Sequence, residues 1–525
     1  MMLEDLIRYF SPKAAVRRQM ARTQLSGLRR ARAYFDGATT SHRAGGWRIT
    51  NTDGTAEARI GGARLRDVAR DMCRNHAYAT RGKNVIVAHT VGEGIIPTID
   101  TKKKKTKEVL EELLIDHFDS TACDATGKTD LYGLQQLVLA TVVESGECLV
   151  RLRPRRVSDG LPLPWQLQVL EPDYLDPMKD GELPNGNMAV SGIEYNKIGQ
   201  PVAYWLFDEH PGSIIRRNVS LESRPVPAKL IAHIFRVDRA GQNRGTSWFA
   251  PVILRLRDFH DYSDAQMMRQ KIAACFAGFV WQEDSGGVTI DGESSATGLP
   301  LEALEPGLLE RLRPGERVEF ANPPSVTGDL DPYARLTLRE IAAGLGISYE
   351  ALTGDLTGVN FSSGRMGWIE MHKNVRGWQN RMLGPQFLAP VASWFLTAAR
   401  IMGLVPMTEK AADQVRIKWT PPKREMISPR DEVPFAIGAI RGGLMTRSDW
   451  LRQSGYDPEK VEAEYAEDQK RADALELVFD SDPRQRTASG NAVTDPADAA
   501  AEAEGFGGKA DEDEGTEKKE GKALQ

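Results

Sequence analysis

Leu338–Arg365 reads LREIAAGLGISYEALTGDLTGVNFSSGR, and the fold turns on its punctuation. The spacing upstream predicts a helix over Tyr333–Ala343, weakened at its end by Gly344 and Gly346. Ser348 stands where a side-chain oxygen caps a short turn, ISYEALTG. The next stretch, GDLTGVNFSSGR, is built of turn formers and predicts a loop, with Asp355 placed either to cap the turn after Gly354 or to pair with Arg365. Trp368, Met371, Val375, Trp378 and Met382 then recur at steps of three and four and predict another helix. Gly384-Pro385 is expected to end it, with Phe387, Val391, Trp394, Phe395 and Ile401 continuing in a second helix. By its residues alone the loop is either a plain connection capped by Ser362 or Ser363, or an exposed functional segment.

Working outward, Ile253, Leu256, Phe259, Tyr262, Met268, Ile272, Phe276 and Phe279 lie mostly three or four apart, with Asp258, Asp261, Asp264, Arg269 and Lys271 between them. One helix fits, roughly 40 Å long at about 1.5 Å per residue. Between Val280 and Pro332 lies an insert rich in Gly, Ser and Pro whose ends, GFVWQ and ERVEF, read as strands. Further upstream the pattern is mixed. A loop is expected over Gly45–Gly62, a helix over Ala63–Arg81, an apolar stretch over Val85–Val91 and a tight turn at Gly92-Glu93-Gly94. Lys102–Lys105 read as a solvated loop or a helix start, and 131–150 as an amphipathic helix ending at Ser145-Gly146-Glu147. Strands follow at CLVRLRP, LQVLEPDYL, Gly192–Tyr195, Pro201–Leu206 and Ile231–Arg236. The N-terminal 36 or so residues, with Arg17, Arg18, Arg22, Arg29, Arg30 and Arg32, form a basic helical arm, and the last ~45 lack apolar periodicity and read as disordered.

Composition bounds the function. The chain has 525 residues, 41% apolar and 27% charged, which is ordinary globular usage and length for about three domains. A formal charge of −5 is not the footprint of a sequence-specific nucleic-acid binder. Cys73, Cys123, Cys148 and Cys275 form no C-x-x-C pair and read as buried small hydrophobes in a reducing compartment. The longest strongly apolar run, Ile272–Trp281, is half of what a helix needs to cross a bilayer, and the N-terminus lacks the apolar core of a secretory signal. The eight histidines make no H-E-x-x-H, and neither G-x-S-x-G nor a dinucleotide fingerprint occurs. Ala122–Thr129, ACDATGKT, ends like a phosphate loop but has Ala122 in place of the first glycine, and the segment before it has helical spacing. The carboxylate pairs Glu171/Asp173 and Asp329/Asp331 read as loop or cap residues. No catalytic residue, metal or cofactor is predicted.

Several segments, in order, resemble the lambda-type portal proteins of tailed bacteriophages: RDMCRNHAYATRGKNVIVAHTVGEGIIP (70–97), ESGECLVRLRP (144–154), LQVLEPDYLD (167–176), GIEYNKIGQPVAYWLFDEHPG (192–212), NRGTSWFAPVILRLRDFHDYSDAQMMRQKIAACFAGFV (243–280), LRPGERVEF (312–320) and the stretch quoted first. The resemblance implies an α+β portal fold. Its parts would be an N-terminal arm (1–44), a mixed α/β wing (45–250), a first stem helix (251–279), a β-containing clip (280–331), a second stem helix (332–353), a tunnel loop (354–365), wing and crown helices (366–480) and an acidic tail (481–525). It implies a homo-oligomeric ring, generally a dodecamer, at one capsid vertex. Double-stranded DNA would be packaged through it by the terminase large subunit and later ejected. Major capsid or scaffold protein and head-completion and tail proteins would be the other partners, with no membrane, in the virion and, during assembly, the host cytoplasm. Asp355, Leu356, Thr357, Gly358, Val359, Asn360, Phe361, Ser362 and Ser363 would face DNA. Arg269, Lys271 and Arg365 are either phosphate contacts or intersubunit ion pairs. The competing class is a DNA-processing enzyme of the packaging machinery, a nuclease or ATPase, which needs an acidic metal cluster or a complete phosphate loop.

Overall fold

The structure, a computed structural model, describes residues 13, 16–25, 51–214, 222–275, 279–282, 316–319, 330–405, 415–422, 428–477 and 479. Most of the N-terminal arm, the interior of the insert at 280–331, Asp329 and the tail at 481–525 lie outside the described residues, as do the readings made for them.

The chain divides into two compact units. The smaller joins 1–61 to 237–243. Its described part has an exposed helical segment at 16–25 and the start of helix α1, Gly54–Asn75. The loop expected to run to Gly62 stops at 53, because Asp53 accepts a hydrogen bond from the Ala56 N–H at 2.8 Å and so caps the helix. Glu57 in the first turn pairs with Arg239 at 2.8 Å, and Thr55 donates to the Gly241 carbonyl.

The larger unit holds the rest. The helix expected over Ala63–Arg81 is interrupted at His76, beyond which α2, Ala77–Thr90, runs through the apolar stretch. Ala79, Gly82, Val85, Ile86 and Thr90 all face inward at helical spacing, which outweighs the strand preference of the Val85-Ile86-Val87 triplet. After β1 (Ile96–Asp100) and α3 (Lys104–Phe118), helix α4 (Leu131–Ser145) crosses the core with eight buried residues. It starts under an Asp130 cap and ends at Gly146, whose φ is 93°.

Strands β2 (Glu147–Pro154), β3 (Trp165–Leu170) and β9 (Ile231–Phe235) form an antiparallel sheet in the order β3-β2-β9. A five-stranded antiparallel sheet follows chain order from β4 (Gly181–Glu182) through β5 (Met188–Val190), β6 (Ile193–Tyr195) and β7 (Pro201–Phe207) to β8 (Ser223–Pro227). Leu149, Leu170, Ile193, Tyr204, Leu206 and Ile231 form a small core shared by the two sheets.

Helix α5, Ile253–Cys275, was expected to reach Phe279; instead Phe279–Gln282 is strand β10, paired antiparallel with β11, Glu316–Glu319. The strand reading of both ends of the insert therefore holds. Helix α6, Leu330–Leu345, and α7, Tyr349–Thr353, follow, the second under a Ser348 cap that accepts from Ala351 N–H at 3.2 Å.

The expected stop at Gly384-Pro385 does not occur. Helix α8 (Phe361–Gly377) passes through a π-helical stretch, Trp378–Leu388, directly into α9 (Ala389–Ile401). The wider turn carries Pro385, which has no N–H to donate, without breaking the helix. Inward packing holds it there: Met382, Leu383, Phe387, Leu388, Val391 and Phe395 are buried, each contributing about 1.5–3 kcal/mol of apolar burial. Strand β12 (Arg416–Thr420) pairs with β1, and α10 (Pro429–Arg441), α11 (Arg447–Gln453) and α12 (Pro458–Ala474) complete the described chain.

Candidate functional site

The long helix α5 leaves the body from a fixed point. Glu147, first residue of β2, is fully buried and accepts from Arg244, whose Nε lies 2.7 Å from Oε1 and 2.9 Å from Oε2 and whose Nη2 lies 2.5 Å from Oε1. It also receives the Gly245 N–H at 2.9 Å and lies 3.0 Å from His233 Nε2. Arg244 Nη1 donates to the Ser191 carbonyl at 2.9 Å, which ties in the second sheet. Burial alone would raise the Glu147 pKa; Arg244, then His233, outweigh it and hold the carboxyl well below the usual range. Backbones meet closely here: a Cβ on Gly245 would stand 2.1 Å from the Gly146 carbonyl oxygen, and one on Gly146 2.4 Å from Thr246. SGE at 145–147 and NRG at 243–245 are thus two halves of one joint, through which Trp248, Phe249, Val252 and Ile253 enter the core and aim α5 outward.

Helices α5 and α6 form an antiparallel hairpin. Val252 faces Gly344, Arg255 pairs with Glu340 at 3.4 Å, and the Tyr262 and Tyr333 rings stand 4.4 Å apart. Gly344, read from sequence as a weak helix end, permits this approach, since a Cβ there would lie 2.3 Å from Val252 Cγ1. The hairpin is open to solvent along its length: Met267 and Met268 are more than half exposed, and Leu254 and Leu336 more so. Arg269 and Lys271 are exposed in the last described turns of α5, and Lys271 makes no ion pair among the described residues.

The loop is shorter than its sequence implied. Gly354, at φ 74°, ends α7, and α8 already begins at Phe361, so Phe361, Ser362, Ser363 and Arg365 lie in helical turns rather than in the loop. The cap is Asn360, not Ser362 or Ser363: its side chain accepts from Ser363 N–H at 2.8 Å while Ser363 Oγ accepts from Asn360 N–H at 3.2 Å, a capping box. Asp355 caps the turn instead of reaching Arg365. It accepts from the Thr357 N–H at 2.9 Å and hydroxyl at 2.5 Å and from the Tyr349 hydroxyl at 3.1 Å. The Thr357 hydrogen bonds hold its carboxyl below the ordinary value. Arg365 is half-buried and makes no ion pair among the described residues. Between these anchors Leu356 is 69% exposed and Gly358 has φ 78°. The loop is a small preformed turn presenting the Leu356 side chain, one hydroxyl and an amide.

The segment resembling a phosphate loop has no room for phosphate. The Asp124 carboxylate already accepts from the N–H groups of Thr126, Lys128 and Thr129 and from the Thr126 hydroxyl at 2.6 Å. An anion bound there would displace the chain's own. Glu171, Asp173 and His210 bring potential ligand atoms within 4.8 Å of one another. Arg70 donates to both carboxylates, at 2.8 and 2.6 Å, and Arg66 lies 3.2 Å from Asp173, so their charge is already neutralised by helix α1. Trp378 packs on the main core, Trp394 donates to the Lys229 carbonyl at 2.9 Å, and Trp368 lines a surface cleft with His89 and His372.

The profile of the phage portal protein, lambda family, matches residues 40–379. The chain belongs to the lambda family of phage portal proteins. Among relatives of this portal chain, the probable portal protein of Halomonas phage phiHAP-1 is 26% identical over 445 residues, covering 82% of this chain and 84% of that one. Portal protein B of Escherichia phage lambda is 22% identical over 335 residues, covering 57% and 62%. A solved chain from the neck of an empty gene transfer agent particle shares 15% identity, covers 79% of this portal chain and 97% of its own length, and superposes with a TM-score of 0.42. The portal family is one of structural connectors between head and tail. Neither Glu147 nor Arg244 was singled out from sequence as a pair, although an acid and an arginine, each beside a glycine in segments resembling the family, were the available signal.

Proposed function

We propose that this portal chain assembles into a closed ring, a dodecamer, at one vertex of the capsid, and that double-stranded DNA passes through the ring on packaging and ejection. The α5/α6 hairpin carries this reading: two antiparallel helices leave the body with Leu254, Met267, Met268 and Leu336 exposed among charged side chains. A closed ring needs one patch to meet a different patch on the next copy, and a hairpin has two such flanks. In this reading α5 and α6 are the stem, β10 and β11 begin the clip that meets the terminase large subunit and later the head-completion and tail proteins, and the α/β sheets are the wing that meets capsid or scaffold protein.

The turn at Gly354–Asn360 faces the bore. Its neutral polar side chains are the Thr357 hydroxyl and the Asn360 amide, with Asp355 engaged by Thr357 and Tyr349. A conduit must not grip its cargo, and a net −5 per copy keeps phosphate contacts few and sliding cheap. Arg269, Lys271 and Arg365 serve either intersubunit pairing or transient phosphate contact. Asp124 weighs against the ATPase alternative, and the arginines that hold Glu171 and Asp173 weigh against a nuclease centre at that cluster among the described residues.

Removing Leu356–Val359 and joining Asp355 to Asn360 through one glycine tests the loop's role. Rings of unchanged copy number that package or retain less full-length DNA are expected. Loss of assembly would make the turn structural.

A further inference from the structure

A cleft of about 630 Å³ opens beside helix α8. Three rings form one wall: Trp368 lies 5.0 Å from His89 and 4.4 Å from His372, and the two histidines lie 5.8 Å apart, centroid to centroid. Burial, and then the nearby Arg81, hold His89 below its ordinary pKa. Val375 and Pro422 add apolar surface. Trp368 Nε1 is buried without an acceptor, and Arg376, exposed at the rim, makes no ion pair among the described residues. Glu93 is the acidic group on the lining. Such a cleft suits a flat apolar group next to a carboxylate.

The chain carries such a segment beyond its last described residue. Ala501–Gly508 reads AEAEGFGG, and Phe506 is the only aromatic residue after Phe479. The rest of that region is mostly small or charged, with acids outnumbering bases, and Leu524 is its other large apolar residue. We propose that this segment of the same chain docks in the cleft, with Phe506 against the Trp368, His89 and His372 rings and Glu502 or Glu504 on Arg376 and the Trp368 N–H.

Reach is sufficient. Phe479 lines one groove with Tyr465, whose ring is 5.6 Å from the Arg447 guanidinium. Arg447 begins the seven-residue helix that ends at Gln453, a residue of the cleft lining. That helix is about 10 Å long. The residues between Phe479 and Ala501 can extend to roughly 70 Å, several times what is needed. The glycines around Phe506 let backbone approach the wall closely.

The test is hydrogen exchange, read by mass spectrometry on the full chain, on a chain ending at Asp495 and on Phe506→Ala. Peptides covering 85–93 and 366–376 are expected to exchange about tenfold faster in both variants, with an unchanged number of copies per particle. A synthetic peptide spanning 498–510 should restore protection to the shortened chain, and Arg376→Glu should weaken that restoration. Equal exchange in the full and shortened chains would overturn the proposal, as would full protection in Phe506→Ala. Because the readout is local, it stands or falls separately from ring formation.

Discussion

Arg244 reaches across 97 positions of sequence to grip Glu147 with two guanidinium nitrogens, at 2.7 and 2.5 Å, inside a site where the carboxylate is completely buried. The pair joins the first strand of the three-stranded sheet to the segment that launches helix α5. A buried charge whose partner is removed is left uncompensated, at about 3–5 kcal/mol. Glu147→Gln keeps the volume and removes the charge, so urea unfolding should show a loss of that order. The pH dependence has a definite sign. The folded carboxyl titrates below its ordinary value of 4.5, so its contribution is fully present above that value and is lost as the pH falls beneath it. The variant should show a flatter acid limb; an equally steep one would assign the acid sensitivity elsewhere.

His117 supplies a second, separable window. Its ring is buried in α3 beside Trp165, at 4.6 Å, with neither nitrogen hydrogen-bonded. Burial lowers its pKa from 6.5 to about 4. The unfolded chain binds the proton first, so stability falls as pH drops from 6.5 towards 4. His117→Phe should remove that part of the slope while leaving the loss below it. An unchanged slope between those values would contradict the account.

Much of this architecture was legible because it rests on local chemistry. Ser348 as a cap, the strands at either end of the 280–332 insert and the β6–β7 hairpin follow from spacing and turn residues near in sequence. What was not legible depends on distant partners. Gly344 looks like a helix breaker until Val252 is placed against it, and Pro385 like a stop until the core holds the π turn in place. The loop boundary was misplaced because Ser362 and Ser363 are credible caps, and only the reciprocal bonds of Asn360 and Ser363 decide between them. Glu147 and Arg244 are ordinary charged residues in sequence; burial in a common site makes them a joint.

Asp124 gives a chemical test of the non-enzymatic reading. Its carboxylate saturates the N–H groups that a phosphate would need. The purified protein should neither hydrolyse ATP nor nick DNA in the presence of magnesium or manganese. Asp124→Ala should lose stability by about 1–3 kcal/mol without gaining ATPase activity, since the freed amides have no first glycine and no preceding strand to shape them. ATP turnover by the unaltered chain would reverse the assignment.

The most direct measurement is the mass and symmetry of the purified protein, by native mass spectrometry with negative-stain imaging. A closed ring of about twelve copies with a central hole is predicted, the exposed flanks of α5 and α6 forming the heterologous contact. A monomer or dimer that persists when capsid and scaffold protein are added would contradict it.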